Sequence, residues 1–101
     1  MAITFNTAEQ ERFTVVTFQI VDGVCTPADL QELLPPQVSG SKGVVLSGRG
    51  PIWLYARLVH EYHPAAWVAT HDPRLGGGVV VESHVPGVKV GEVVPVEVDC
   101  K

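Results

Sequence analysis

Residues 13–21, FTVVTFQIV, place β-branched and aromatic side chains in partial alternation with polar ones, the period-two pattern of a strand. The preceding ITF is expected to pair beside it as a hairpin across the polar stretch NTAEQER. The pattern then changes. In TPADLQELL, Thr26 suits an N-cap, Pro27 the first helical position and Asp29 the first turn, so a helix is predicted that Pro35-Pro36 stops. After the polar loop QVSGSKG, GVVLS (43–47) predicts a short buried strand and GRG a tight turn. PIWLYARLVHEYH follows, with Pro51 suited to the first helical position and Pro64 to the stop. Ile52, Tyr55, Leu58, Val59 and Tyr62 recur at spacings of three and four and predict its apolar stripe. AAWVAT (65–70) predicts a buried strand, HDPRLGG a loop, GVVVES another strand, and VKVGEVVPVEV one or two edge strands about a Gly-Glu turn. This order defines an α/β class: a compact single domain, a mixed sheet and two main helices, with residues 43–70 forming one βαβ unit.

Composition narrows the choices. A chain of 101 residues with 46% hydrophobic and 18% charged residues can build a core, but a domain of this size has little surplus stability, which favours assembly. A net charge of -4 argues against coating duplex DNA or RNA, which calls for a basic stripe. A small anionic ligand needs only a few aimed cations and amides. Cys25 and Cys100 make neither a disulfide framework nor a metal knuckle and read as free thiols of a reducing cytoplasm. The opening MAITFNTAEQ is not a secretion signal, and no apolar run suggests a membrane span.

Four stretches can carry chemistry. In Ser47-Gly48-Arg49-Gly50-Pro51 a strand ends, glycines free the turn and a helix begins, so unpaired amides and Arg49 can meet a phosphate. The plain alternative is a tight turn with a solvated arginine. His60 and His63 share one side of the helix end, where they can chelate a metal, act as acid or base, or simply complement the helix dipole. In His71-Asp72-Pro73-Arg74-Leu75-Gly76-Gly77, Asp72 can orient a histidine or ligate a metal, and Arg74 can neutralise phosphorane charge; otherwise the two form a surface pair. This loop and the SGRG turn should both lie at the carboxyl ends of strands, where open α/β sheets bind ligands. His84 completes a group of four histidines between positions 60 and 84 that, with Asp72, offers enough donors for a divalent ion; chance clustering is the competing account. His71 reads as the least engaged of the four. Cys25, Trp53 and Trp67 are assigned to packing, and Glu92, Glu97 and Asp99 to a solvated edge.

The run GVVLSGRGPIWLYARLVHEYH, with WVATHDPRLGGGVVVESH and GVKVGEVV, resembles the third CRISPR ring nuclease family (Csx-three, also called Crn-three). The likeness covers most of the chain and is densest from Lys42 to Val94. It implies one ring-nuclease domain over residues 1–101, with a fold distantly like the Rossmann-like (CARF-like) sensors of CRISPR accessory proteins. It further implies a homodimer that sandwiches cyclic tetra-adenylate against a second dimer, as a tetramer or filament. Manganese(II)-dependent cleavage would give linear oligoadenylate ending in a 2′,3′-cyclic phosphate, switching off type III antiviral signalling. Relatives are also implied to trim linear poly(A)-ended RNA from its 3′ end with manganese, and a module that binds the ring without cutting it is a further alternative. By motif, Ser47, Gly48, Arg49 and Gly50 bind phosphates; His63, Asp72 and Arg74 are catalytic; His60, Asp72 and His84 hold the metal. Which of His60 and His63 is catalytic stays open. The ATPase domain to which some relatives are fused has no P-loop counterpart in this sequence.

Overall fold

The computed structural model describes residues 2–96. Six strands form one mixed sheet in strict chain order, β1 (Ile3–Glu9), β2 (Phe13–Ile20), β3 (Gly43–Ser47), β4 (Trp67–Asp72), β5 (Gly77–Ser83) and β6 (Val93–Pro95). The central strands β2, β3 and β4 run parallel, and β1, β5 and β6 join antiparallel at the two sides. The α/β expectation therefore holds, with the βαβ unit at its centre. The expected hairpin forms, but β1 continues through Glu9, so only the last residues of the polar stretch turn the chain.

The two expected helices differ in kind. Pro27–Glu32 winds as a 3-10 helix, its start held by the Thr26 N–H donating to an Asp29 carboxylate oxygen at 2.7 Å. Pro35 and Pro36 follow so closely that an α-helix has no room, and Leu33 is already extended. The true α-helix, α1 (Ile52–Glu61), lies between β3 and β4, with Pro51 in extended geometry just before it. Its buried face is Leu54 and Leu58, continued by Tyr62. Ile52, expected in that stripe, is 87% exposed, because it opens the helix beyond the reach of the core.

Both crossovers pack on one face of the sheet. Leu54 and Leu58 of α1, together with Leu30, Leu33 and Val38 of the first crossover, cover Val16, Phe18, Val44, Leu46 and Val68. Strands that advance steadily in one direction put same-handed crossovers on the same side. The opposite face carries Val15, Val45, Ala69 and Val80, with Phe13 packed on Trp67 at a ring separation of 5.9 Å. It is closed by Val88, Val94 and Val96 from the segment after β5. Trp53 and Cys25 pack against the first cluster, as assigned. Glu92 is exposed, whereas Glu97, Asp99 and Cys100 lie outside the described residues. Among the described residues no helix is long and apolar enough to cross a membrane.

Candidate functional site

The parallel strands β3 and β4 end side by side, so the turn after Ser47 and the loop after Asp72 share one end of the sheet. Gly48 has φ of 151°, and a Cβ there would lie 2.6 Å from the Phe18 carbonyl oxygen. A Cβ on Gly50 would meet the same phenylalanine ring at 2.7 Å. Glycine is thus required where the turn presses onto β2. The Tyr55 hydroxyl donates to the Gly48 carbonyl at 2.6 Å, tying the turn to α1; burial raises this phenol's pKa, partly offset by that bond. Arg49 projects from the turn and is exposed.

Across the gap, Asp72 organises its own loop. Its Oδ1 accepts the Arg74 N–H at 2.9 Å and lies 3.6 Å from the Arg74 Nε. That guanidinium is 91% exposed, so the pair adds little stability and leaves the cation facing outward. Ile52, Tyr55, Thr70, His71, Asp72 and Arg74 line an open hollow of about 550 Å³ at this end. His71 is not a bystander in position: its Nδ1 lies 3.1 Å from the Ser47 Oγ. We refer to this region as the anion end.

The other histidines gather elsewhere. His63 Nδ1 lies 3.4 Å and His84 Nε2 3.3 Å from the same Glu82 oxygen, and the two rings meet edge to face at 4.8 Å. His84 Nε2 also lies 3.0 Å from the His63 carbonyl oxygen. A β-bulge makes this cluster. Ala69 pairs with Val80, but Val68 pairs with Glu82, so one residue of β5 is skipped. The skip turns Glu82 onto the face of Val68, where α1 packs and His63 follows.

The length of β4 separates these two groups. The His84 N–H donates to the Ala66 carbonyl, six residues before Asp72, and an extended chain covers roughly 20 Å in that many steps. The set His63, Asp72 and Arg74 therefore does not meet within one chain. Nor does the set His60, Asp72 and His84, which corrects the expected metal ligands: strand direction carries Asp72 to the far end, and His60 is exposed outside the cluster. The Ser47–Gly50 turn and the Asp72–Arg74 loop leave the same end of the sheet, because each follows one of two neighbouring parallel strands. Glu82, which the sequence reading passed over, is the carboxylate that stands with His63 and His84; its signal was the ESH run at the end of β5.

The cluster His63, Glu82 and His84 suits a divalent ion. Its three donor atoms lie within 4.8 Å of one another. Metal bonds of about 2.1–2.2 Å at right angles set donors about 3 Å apart, close to the two spacings from Glu82. Two imidazoles and a carboxylate accept manganese, and iron or zinc more tightly, with further positions left for water or phosphate oxygens. His84 would exchange its contact with the His63 carbonyl for the ion.

Fold and site together define a small α/β protein with a cationic strand end and a separate histidine–carboxylate cluster. The family model described as CRISPR-associated protein (Cas_csx3) matches residues 18–95. The chain belongs to this CRISPR-associated family. An uncharacterized protein of Aquifex aeolicus (strain VF5) is 47% identical over 85 residues, covering 80% of this chain and 76% of its own.

Proposed function

We propose that this protein binds cyclic tetra-adenylate at the anion end and cleaves it to linear oligoadenylate with 2′,3′-cyclic phosphate termini. The observation that carries the reading is the division of labour along β4. Arg49 and Arg74 flank one strand end, while a histidine that can act as acid or base lies roughly 20 Å away. A phosphodiester on the anion end of one copy meets His63 only if a second copy brings its opposite end. This is why assembly, as homodimers stacked on the ring, belongs to the mechanism.

The nucleophile is the substrate's own 2′-hydroxyl, which attacks the adjacent 3′-phosphorus as the bond to the next 5′-oxygen breaks. His63 takes the hydroxyl proton or supplies one to the leaving oxygen, a contribution of roughly 100- to 10,000-fold. Arg74, aimed by Asp72, stabilises charge on the phosphorane, and the Ser47–Gly50 turn holds a neighbouring phosphate. Glu82 and His84 would hold manganese beside His63, which keeps its ring nitrogens for proton transfer; the ion would supply Lewis-acid charge stabilisation when bound.

Labelled cyclic tetra-adenylate, incubated with manganese and again with a chelator, tests this directly. Conversion to linear products with manganese, at a rate per subunit that falls on dilution through the micromolar range, is expected. A ring that binds but stays intact identifies a sequestering module instead. Preferential shortening of poly(A)-ended RNA in competition identifies the exonuclease. A dilution-independent rate removes the second copy from the mechanism.

A further inference from the structure

The register aligns a polar row across four neighbouring strands. Asn6 pairs with Thr17 and Thr17 with Ser47, and Ser47 reaches His71 on β4. Alternation sets this row on the face of Val15, Val45 and Ala69, away from α1. The next residue of the row, Gly78 on β5, has no side chain. The row lies one step inside the turn that carries Arg49 and the loop that carries Arg74, so the anion end continues around the sheet edge onto its helix-free face.

Ser47 is 6% exposed, and its hydroxyl has one side-chain partner among the described residues, His71 Nδ1. The contact allows either atom to donate; with the Ser47 hydroxyl as donor to Nδ1, the ring carries its hydrogen on Nε2. His71 is half-buried, and its Nε2 has no hydrogen-bond partner among the described residues. In that tautomer His71 presents an Nε2–H, held from behind by Ser47 at the strand end that bears both arginine loops, and suited to an anionic or hydroxyl oxygen.

We propose that His71, positioned by Ser47, is a ligand-binding residue whose Nε2–H contacts a phosphate or ribose oxygen of the bound oligoadenylate on the helix-free side of the anion end. The assignment rests on the proposed ring binding and adds to it a contact on the second face. His71 acts here in holding the ring, while acid–base work stays with His63.

Long-range proton–nitrogen NMR of the wild-type protein, which resolves the four imidazoles, provides the test with cyclic tetra-adenylate as probe. Ring addition should move the His71 Nε2 signal and sharpen a single tautomer. In parallel, His71→Ala should weaken ring binding by about 10- to 100-fold, the loss expected for a hydrogen bond to a charged group. His71→Gln, which offers an amide N–H, should recover part of it, and Ser47→Ala should show a smaller loss with the His71 tautomers mixed. A ring that binds wild type while the His71 signals stay still, or that binds His71→Ala unchanged, overturns the assignment and leaves ring binding intact. A ring that does not bind wild type at all overturns both.

Discussion

The two ends of the sheet solve different problems with the same few residue types. At the anion end the working groups are fixed by backbone: Gly48 is pinned against Phe18 by its own lack of a side chain, and Asp72 caps the loop that bears Arg74. At the histidine end they are fixed by side chains that lean on one another, Glu82 between His63 and His84. The first arrangement is held by the fold itself. The second is a half-buried carboxylate between two exposed imidazoles, a set that an ion would order. In the proposed function, ring holding falls to the first end and proton transfer to the second, with Arg74 serving the reaction from the first.

The sharpest way to break this contrast is to disable one end at a time. His63→Ala should lower ring cleavage by roughly 100- to 10,000-fold while ring affinity holds. Arg49→Ala should lose affinity instead, by about tenfold or more. At ring concentrations too low for Arg49→Ala to bind well, mixing the two proteins should give more linear product per subunit than either gives alone. No gain on mixing would mean that one copy contains all the chemistry.

A smaller effect distinguishes the ends by metal. Glu82→Gln should weaken manganese binding by about 10- to 100-fold in titration calorimetry, with ring affinity unchanged. Equal loss of both would merge the two ends into one site.

The smallest effect concerns α1, which is tied at each end by a tyrosine. Tyr55 bonds the Gly48 carbonyl, and Tyr62 donates to the Pro36 carbonyl at 2.6 Å. Burial, helped by the charge of Glu61, pushes the Tyr62 phenol up from 10.0 to about 12. Below pH 10 both folded and unfolded chains keep this proton, so the group contributes no pH dependence. As pH rises from 10 toward 12 the unfolded chain releases it first, and stability falls. Tyr62→Phe should flatten that alkaline limb in denaturant titrations and cost about 1 kcal/mol at neutral pH for the lost hydrogen bond.

Much of the fold was legible because punctuation is local. Glycine and proline mark β3, its turn and the start of α1, and the strand ends then follow from the parallel βαβ rule. The 3-10 winding of Pro27–Glu32 was less legible, since Thr26, Pro27 and Asp29 begin either helix type and only the room before Pro35 decides. The site divided in the same way. Arg49 and Arg74 fall together because both follow parallel strands. His63 and Asp72 are only nine positions apart, yet β4 lies between them and carries one away from the other. Glu82 was hidden for a subtler reason: its face depends on a bulge opposite Val68 that no pattern in GVVVES announces.

The chain-order sheet has a consequence for synthesis. Each strand finds its neighbour already made, so a chain leaving the ribosome can add strands one after another, without holding a gap open for a late arrival. The arginine-bearing loops are complete once Arg74 has emerged, whereas Glu82 and His84 come afterwards. His63 emerges before them, but the histidine–carboxylate cluster is the last feature of the candidate site to be completed.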